Sequence, residues 1–113
     1  MLRLVLTASA LTLSIACAGA QTDKQKSVMN LLAQAIALDE ICPNVSQNTE
    51  RMLLILLANK IDIEEKRFYN YMSSQVERRK SEYRARGQDI ACAVAPFVFG
   101  PGGSGVPDLL RIR

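Results

Sequence analysis

The stretch Met52-Leu53-Leu54-Ile55-Leu56-Leu57-Ala58 is apolar on every side and decides the fold. A short run of this kind fits either a central helix or a buried strand, and periodicity does not choose between them. Leucine and methionine favour the helix, and no β-rich companion strand is visible elsewhere in the chain. We therefore predict a core helix over this stretch.

A second helix is predicted upstream of this run. Asp23 or Ser27 can cap its start, and Pro43, which cannot continue a helical hydrogen-bond ladder, stops it near Cys42. Apolar residues recur between these limits at spacings of three and four, which predicts one buried stripe. The stripe consists of Val28, Leu31, Leu32, Ala35, Leu38 and Cys42.

Two further helices are predicted downstream. Asp62 and Glu65 have the spacing of a capping box, and a long charged helix can run from there to Arg86. Gly87 is the expected left-handed stop. A short last helix is predicted from Asp89 to Ala95, ending at Pro96.

The first twenty residues have the pattern of a secretory signal peptide. Arg3 supplies the positive start, an uncharged stretch follows, and Ala18 and Ala20 occupy the small-residue positions of a cleavage site. We predict cleavage after Ala20 and a periplasmic or secreted location. A lipoprotein that begins at Cys17 and a retained membrane anchor are the alternatives.

Removal of this leader leaves Cys42 and Cys92 as the remaining cysteines of a chain bound for an oxidising compartment. We predict a disulfide between them, closing a loop of about 50 residues and stabilising the domain by about 4 kcal/mol. Two separate buried thiols are the alternative. The predicted fold class is all-α, a small bundle of about four helices over residues 21–99, stapled by this one disulfide.

Residues 100–113 form a tail rich in glycine and proline, and we predict a flexible linker there. The tail ends in a short basic and apolar segment with Leu109, Leu110 and Ile112. These three side chains can pack onto the core, or they can dock on a partner or a membrane surface.

Composition excludes several kinds of chemistry. The 113 residues include no histidine, so neither a Ser-His-Asp triad nor an imidazole zinc site can form. The dense carboxylate cluster Asp62, Glu64 and Glu65 stands at a predicted helix start, where negative charge is favoured without any catalytic role. We predict no catalytic residues, no cofactor, no metal site and no enzymatic activity. An enzyme that uses carboxylates alone is a further hypothesis, and it requires two carboxylates that face one pocket.

Five basic residues between positions 78 and 86 form a candidate interaction face. A solvated helix face is the plain interpretation, and binding to anionic groups is the functional one. The modest net charge and the predicted export disfavour nucleic acid. The residues of this face are Arg78, Arg79, Lys80, Arg84 and Arg86. Separately, Asn44-Val45-Ser46 is a glycosylation sequon, which has meaning only in a eukaryotic host.

A small exported helical chain with two cysteines about 50 positions apart, Cys42 and Cys92, resembles the acid-stress periplasmic chaperones of the HdeA type. It is also similar to some helical periplasmic immunity proteins of interbacterial toxin systems. The first resemblance implies a neutral-pH dimer that loosens at low pH and exposes apolar surface to clients. The glycine-rich tail after Cys92 departs from that pattern.

The sequence thus predicts an exported helical protein-binding module without enzymatic activity, either chaperone-like or inhibitor-like. Its partner is a protein of unknown identity, and a homodimer is compatible with this hypothesis. The alternative is a peripheral envelope protein held on an anionic membrane surface by the basic helix face and the tail.

Overall fold

The computed structural model describes residues 21–113, which form three helices and one pair of short strands. In chain order these elements are α1 (Asp23–Ile41), β1 (Val45–Gln47), α2 (Thr49–Ala58), α3 (Lys66–Phe99) and β2 (Leu110–Ile112). The mostly helical fold and the Cys42–Cys92 disulfide are confirmed. The expected all-α bundle of about four helices is wrong, because the described chain has three helices and a strand pair.

The predicted signal peptide, its cleavage site and Cys17 lie outside the described residues. Within residues 21–113, no helix is both long enough and apolar enough to cross a bilayer.

Helix α1 is the centre of the fold, in the place that we expected α2 to take. Its start is capped by Thr22, whose hydroxyl accepts from the Gln25 N–H while the Gln25 side chain accepts from the Thr22 N–H. Ala33 and Ala37 lie on one side of this helix and Ala35 on the opposite side, and all three are fully buried. Helix α1 contacts α3, β1 and α2, and α3 is the neighbour that packs against it most extensively.

Helix α3 packs along α1 and changes direction at Gly87. This residue has φ 124° and ψ 98°, a conformation that side chains with a Cβ rarely adopt. The helix resumes and continues through Pro96 to Phe99, beyond the predicted end at Pro96. Proline 96 lacks the N–H that would bond to the Cys92 carbonyl, and the Asn44 side-chain amide donates to that oxygen instead, at 3.0 Å.

The start of α3 also differs from the prediction. Asp62 is not its N-cap: the Asp62 side chain accepts from the Glu64 N–H, and its carbonyl accepts from the Glu65 N–H, which makes a turn. The helix begins at Lys66, and Glu65 pairs with Arg67 at 2.9 Å.

The predicted flexible tail is an ordered part of the fold. Strand β2 pairs antiparallel with β1, with Leu110 opposite Gln47 and Ile112 opposite Val45. The preceding glycine-rich segment is hydrogen-bonded to the end of α3. A Cβ on Gly103 would lie 2.4 Å from the Val98 carbonyl oxygen, so glycine serves close approach here rather than flexibility.

Candidate binding cleft

Helix α2 buries only one side of its apolar surface. Met52 and Leu56 face the core. The remaining leucines define what we call the leucine face: Leu53, Leu54 and Leu57, which are 49%, 59% and 71% exposed. A helix that is apolar on every side is normally enclosed, so this face is surplus to the packing of the domain.

A cleft lies beside the leucine face, between α1, α2 and α3. Its volume is about 470 Å³, and a second cavity of about 400 Å³ adjoins it, sharing Leu53, Leu56 and Ile63. Clefts of this size are typical of binding sites. The apolar side chains that line the larger cavity come from all three helices and include Leu32, Ile36, Met52, Leu53, Leu56, Tyr69, Met72 and Val76.

Carboxylates stand at the borders of the two cavities. Glu40 and Glu77 line the larger one, and both bond to the Lys80 ammonium, at 2.7 and 2.9 Å. The hydrogen bond to Glu40, followed by that to Glu77, raises the pKa of Lys80 above its usual value. Asp62 and Glu64 line the second cavity, where Lys60 is the one cation.

The basic residues predicted as an interaction face do not act together. Arg78 and Arg79 share Glu82, at 3.4 and 3.0 Å, and Lys80 is tied to α1 through Glu40. Arg84 and Arg86 are exposed. The cluster is therefore divided between charges held in ion pairs and charges that face solvent.

The three apolar tail residues of the predicted interaction face are separated as well. Leu109 and Leu110 are completely buried, which agrees with the alternative that they pack onto the core and leaves them unavailable for docking. Both belong to the buried core cluster, and Leu110 is the first residue of β2, which pairs with β1. Only Ile112 remains exposed.

A second exposed apolar surface was missed by the sequence reasoning. We call it the C-terminal stripe: Ile90, Val94 and Phe97, all exposed on the part of α3 beyond Gly87. The spacing of four and three residues is a helical signal that could have revealed it. Aromatic Phe97, 74% exposed, is its largest side chain.

The Asn44 sequon is engaged inside the fold. Its side-chain nitrogen, the atom to which a glycan would be attached, donates to the Cys92 carbonyl. Its side-chain oxygen is buried and has no hydrogen-bond partner among the described residues. The amide therefore supports the bend of the chain around the disulfide, whose Cα atoms are 5.4 Å apart.

The carboxylate cluster has no geometry of a reactive site. Asp62, Glu64 and Glu65 are exposed, and two of them are used in the turn and the ion pair described above. Over residues 21–113 no group of three or more metal-ligating side chains comes together.

Tyr69 lines the cleft, whereas Tyr71 and Tyr83 are partly buried against the core. The Tyr71 hydroxyl donates to the Asn30 side chain at 3.0 Å. Burial raises the pKa of Tyr83, which is half-buried farther along α3.

Comparison with models of protein families, with curated proteins and with solved structures gives no match to this chain.

Proposed function

We propose that the chain is an exported, non-enzymatic protein-binding module whose binding surface is the leucine face together with the adjoining cleft. The observation that carries this proposal is the exposure of Leu53, Leu54 and Leu57 on a helix that buries only Met52 and Leu56 in the core. Export follows from the leader predicted over residues 1–20, and the disulfide is compatible with an oxidising compartment.

The energetic argument concerns what a partner would gain. Burying a leucine side chain is worth about 1.5–3 kcal/mol, so covering the exposed parts of these three contributes about 3–5 kcal/mol. Exposed apolar surface that is contiguous and bordered by charged residues marks interaction sites. The cleft makes the binding surface concave, so that side chains of a partner can enter it beside the leucines.

The absence of enzymatic activity is supported by the kind of residues at the cleft. Its lining is mainly apolar, and the carboxylates at its borders are exposed, with Glu40 and Glu77 bonded to Lys80. Histidine, the usual general base near neutral pH, does not occur in the chain.

Site-specific photo-crosslinking in the native host tests this proposal. A photoreactive residue at position 57 should give a crosslinked partner that is absent when the same residue is placed at position 85, an exposed alanine on α3. The product should also disappear when Leu54→Asp is added. Identical products at both positions, or no product at position 57, would contradict the proposal.

A peripheral envelope protein is the second candidate, and the C-terminal stripe favours it. Ile90, Val94 and Phe97 lie just beyond the exposed Arg84 and Arg86, the combination that lets a helix lie on an anionic membrane. In liposome flotation, this candidate predicts binding to anionic vesicles that salt weakens and Phe97→Asp abolishes. Equal flotation with neutral vesicles, or none, would eliminate it.

A further inference from the structure

We infer that the cleft receives one amphipathic helix of a partner protein, with basic residues at both ends of that helix's apolar stripe. The inference rests on the proposed function and adds the chemistry of the partner. It is argued from the shape of the cleft and the charges at its two ends.

The shape fits a helix of limited length. The α3 side of the cleft runs from Tyr69 to Glu77, about 12 Å at 1.5 Å per residue, which is a little more than two helical turns. A partner helix can place apolar side chains at positions i, i+4 and i+7 over that distance, as helices do in apolar grooves. Helix α2, about 15 Å long, supplies the opposite wall through Leu53 and Leu56.

Negative charge remains at both ends of this apolar surface. At one end Lys80 compensates only one of the two carboxylates that it bonds, and Glu77 keeps 70% of its side chain exposed. At the other end Asp62 and Glu64 face a single cation, Lys60. On the outer side of α2, Glu50 and Arg51 offset one another. Among the residues that line the two cavities, counted together with Lys80, each end therefore has one carboxylate more than it has cations, which favours Lys or Arg on the partner.

The same charges argue against an anionic membrane as the occupant of this cleft. A lipid surface that attracts Arg84 and Arg86 would be repelled at Glu77 and Glu64. A protein helix can match both the apolar centre and the two acidic ends, because its sequence can put basic residues about three turns apart.

Two synthetic peptides of about 16 residues test the inference. Both carry leucine at i, i+4 and i+7, and they differ only in having lysine or glutamate at the flanking positions. Their affinity for the oxidised chain, without its leader, is measured by fluorescence anisotropy. We expect the lysine peptide to bind about tenfold more tightly at low salt, with the difference shrinking at high salt.

Matched variants locate the effect. Glu64→Gln/Glu77→Gln should reduce the preference for lysine, whereas Asp89→Asn/Asp108→Asn, which removes the same charge from exposed residues outside the cleft, should leave it unchanged. Leu57→Asp should weaken both peptides. Circular dichroism of each variant confirms that it retains its fold.

Three results would overturn the inference. If both peptides bind equally, the cleft takes a helix without charge selection, and the proposed function stands. If neither binds while position 57 still gives its crosslinked partner, the partner is of another kind. If the chain self-associates in sedimentation and Phe97→Asp prevents this, the occupant is the C-terminal stripe of a second copy.

Discussion

Reduction of the Cys42–Cys92 disulfide should destabilise the domain strongly, and its magnitude follows from the position of the two cysteines. The bond joins the end of α1 to the second part of α3, with 50 residues of sequence separation. Chain-entropy reasoning for a loop of that length gives a loss of about 4 kcal/mol. Since each kcal/mol shifts the Tm of a domain of this size by about 4–8 °C, the Tm should fall by about 16–32 °C.

Thermal unfolding followed by circular dichroism measures this loss in the oxidised protein, in the reduced protein and in Cys42→Ala/Cys92→Ala. The reduced protein keeps both side chains, so it separates the effect of the bond from that of a changed core residue, Cys42 being 2% exposed. A fall in Tm of less than about 5 °C on reduction would refute the reasoning. In that case, hydrogen bonds such as the one from Asn44 to the Cys92 carbonyl would hold the end of α1 against α3 without the disulfide.

Three other predictions concern single contacts. Asn44→Ala should lower the free energy of unfolding, measured in urea, by about 1–3 kcal/mol. The loss should be smaller in a Pro96→Ala background, where the new backbone N–H of residue 96 can donate to the Cys92 carbonyl. Equal losses in the two backgrounds would contradict this. Leu110→Ala should lower the free energy of unfolding by about 2–5 kcal/mol, and Ile112→Ala should lower it by less than about 0.5 kcal/mol. If the tail were flexible, the two variants would be equally stable. The raised pKa of Lys80 contributes stability below pH 10.5 that is lost as pH rises through its folded-state pKa, so Lys80→Met should flatten the alkaline decline in Tm. An unchanged slope would contradict that assignment.

Local signals predicted the helical segments and the disulfide. Pro43 stops α1 because proline lacks the N–H that a helix needs, and Gly87 interrupts α3 because it accepts a positive φ. The pairing of Cys42 with Cys92 followed from counting the cysteines that remain after the predicted leader is removed. Each of these inferences depends on a property of one residue type rather than on the arrangement of the whole chain.

The place of α2 could not be predicted from its composition. Its leucines indicate a helix that can be buried, but burial depends on how many elements are present to cover it. Helix α1, whose alanines are buried on opposite sides of the helix, takes the central position instead. The described part of the chain supplies no further layer over Leu53, Leu54 and Leu57.

The tail shows that glycine has two structural meanings. A run of glycines predicts flexibility when nothing packs against it, and close approach when a backbone lies beside it. Gly103 is of the second kind, because the carbonyl of Val98 occupies the space of a Cβ. Sequence alone does not reveal that neighbour.

The cleft was beyond sequence reasoning because three separated segments form it. Tyr69, Leu53 and Leu32 come from different helices, and only their packing brings them to one surface. The C-terminal stripe, by contrast, was visible as a spacing of four and three residues. It was missed because the predicted last helix ended at Pro96, which removed Phe97 from it.

The central claim, that the leucine face is open for a partner, is tested most directly by comparing two neighbouring leucines of α2. Leu56 is 8% exposed and Leu57 is 71% exposed, and both stand in the same helix. Leu56→Ala should lower the free energy of unfolding by about 2–5 kcal/mol, whereas Leu57→Ala should change it by less than about 0.5 kcal/mol. Similar losses for both variants would show that the face is packed within the domain and would contradict the account.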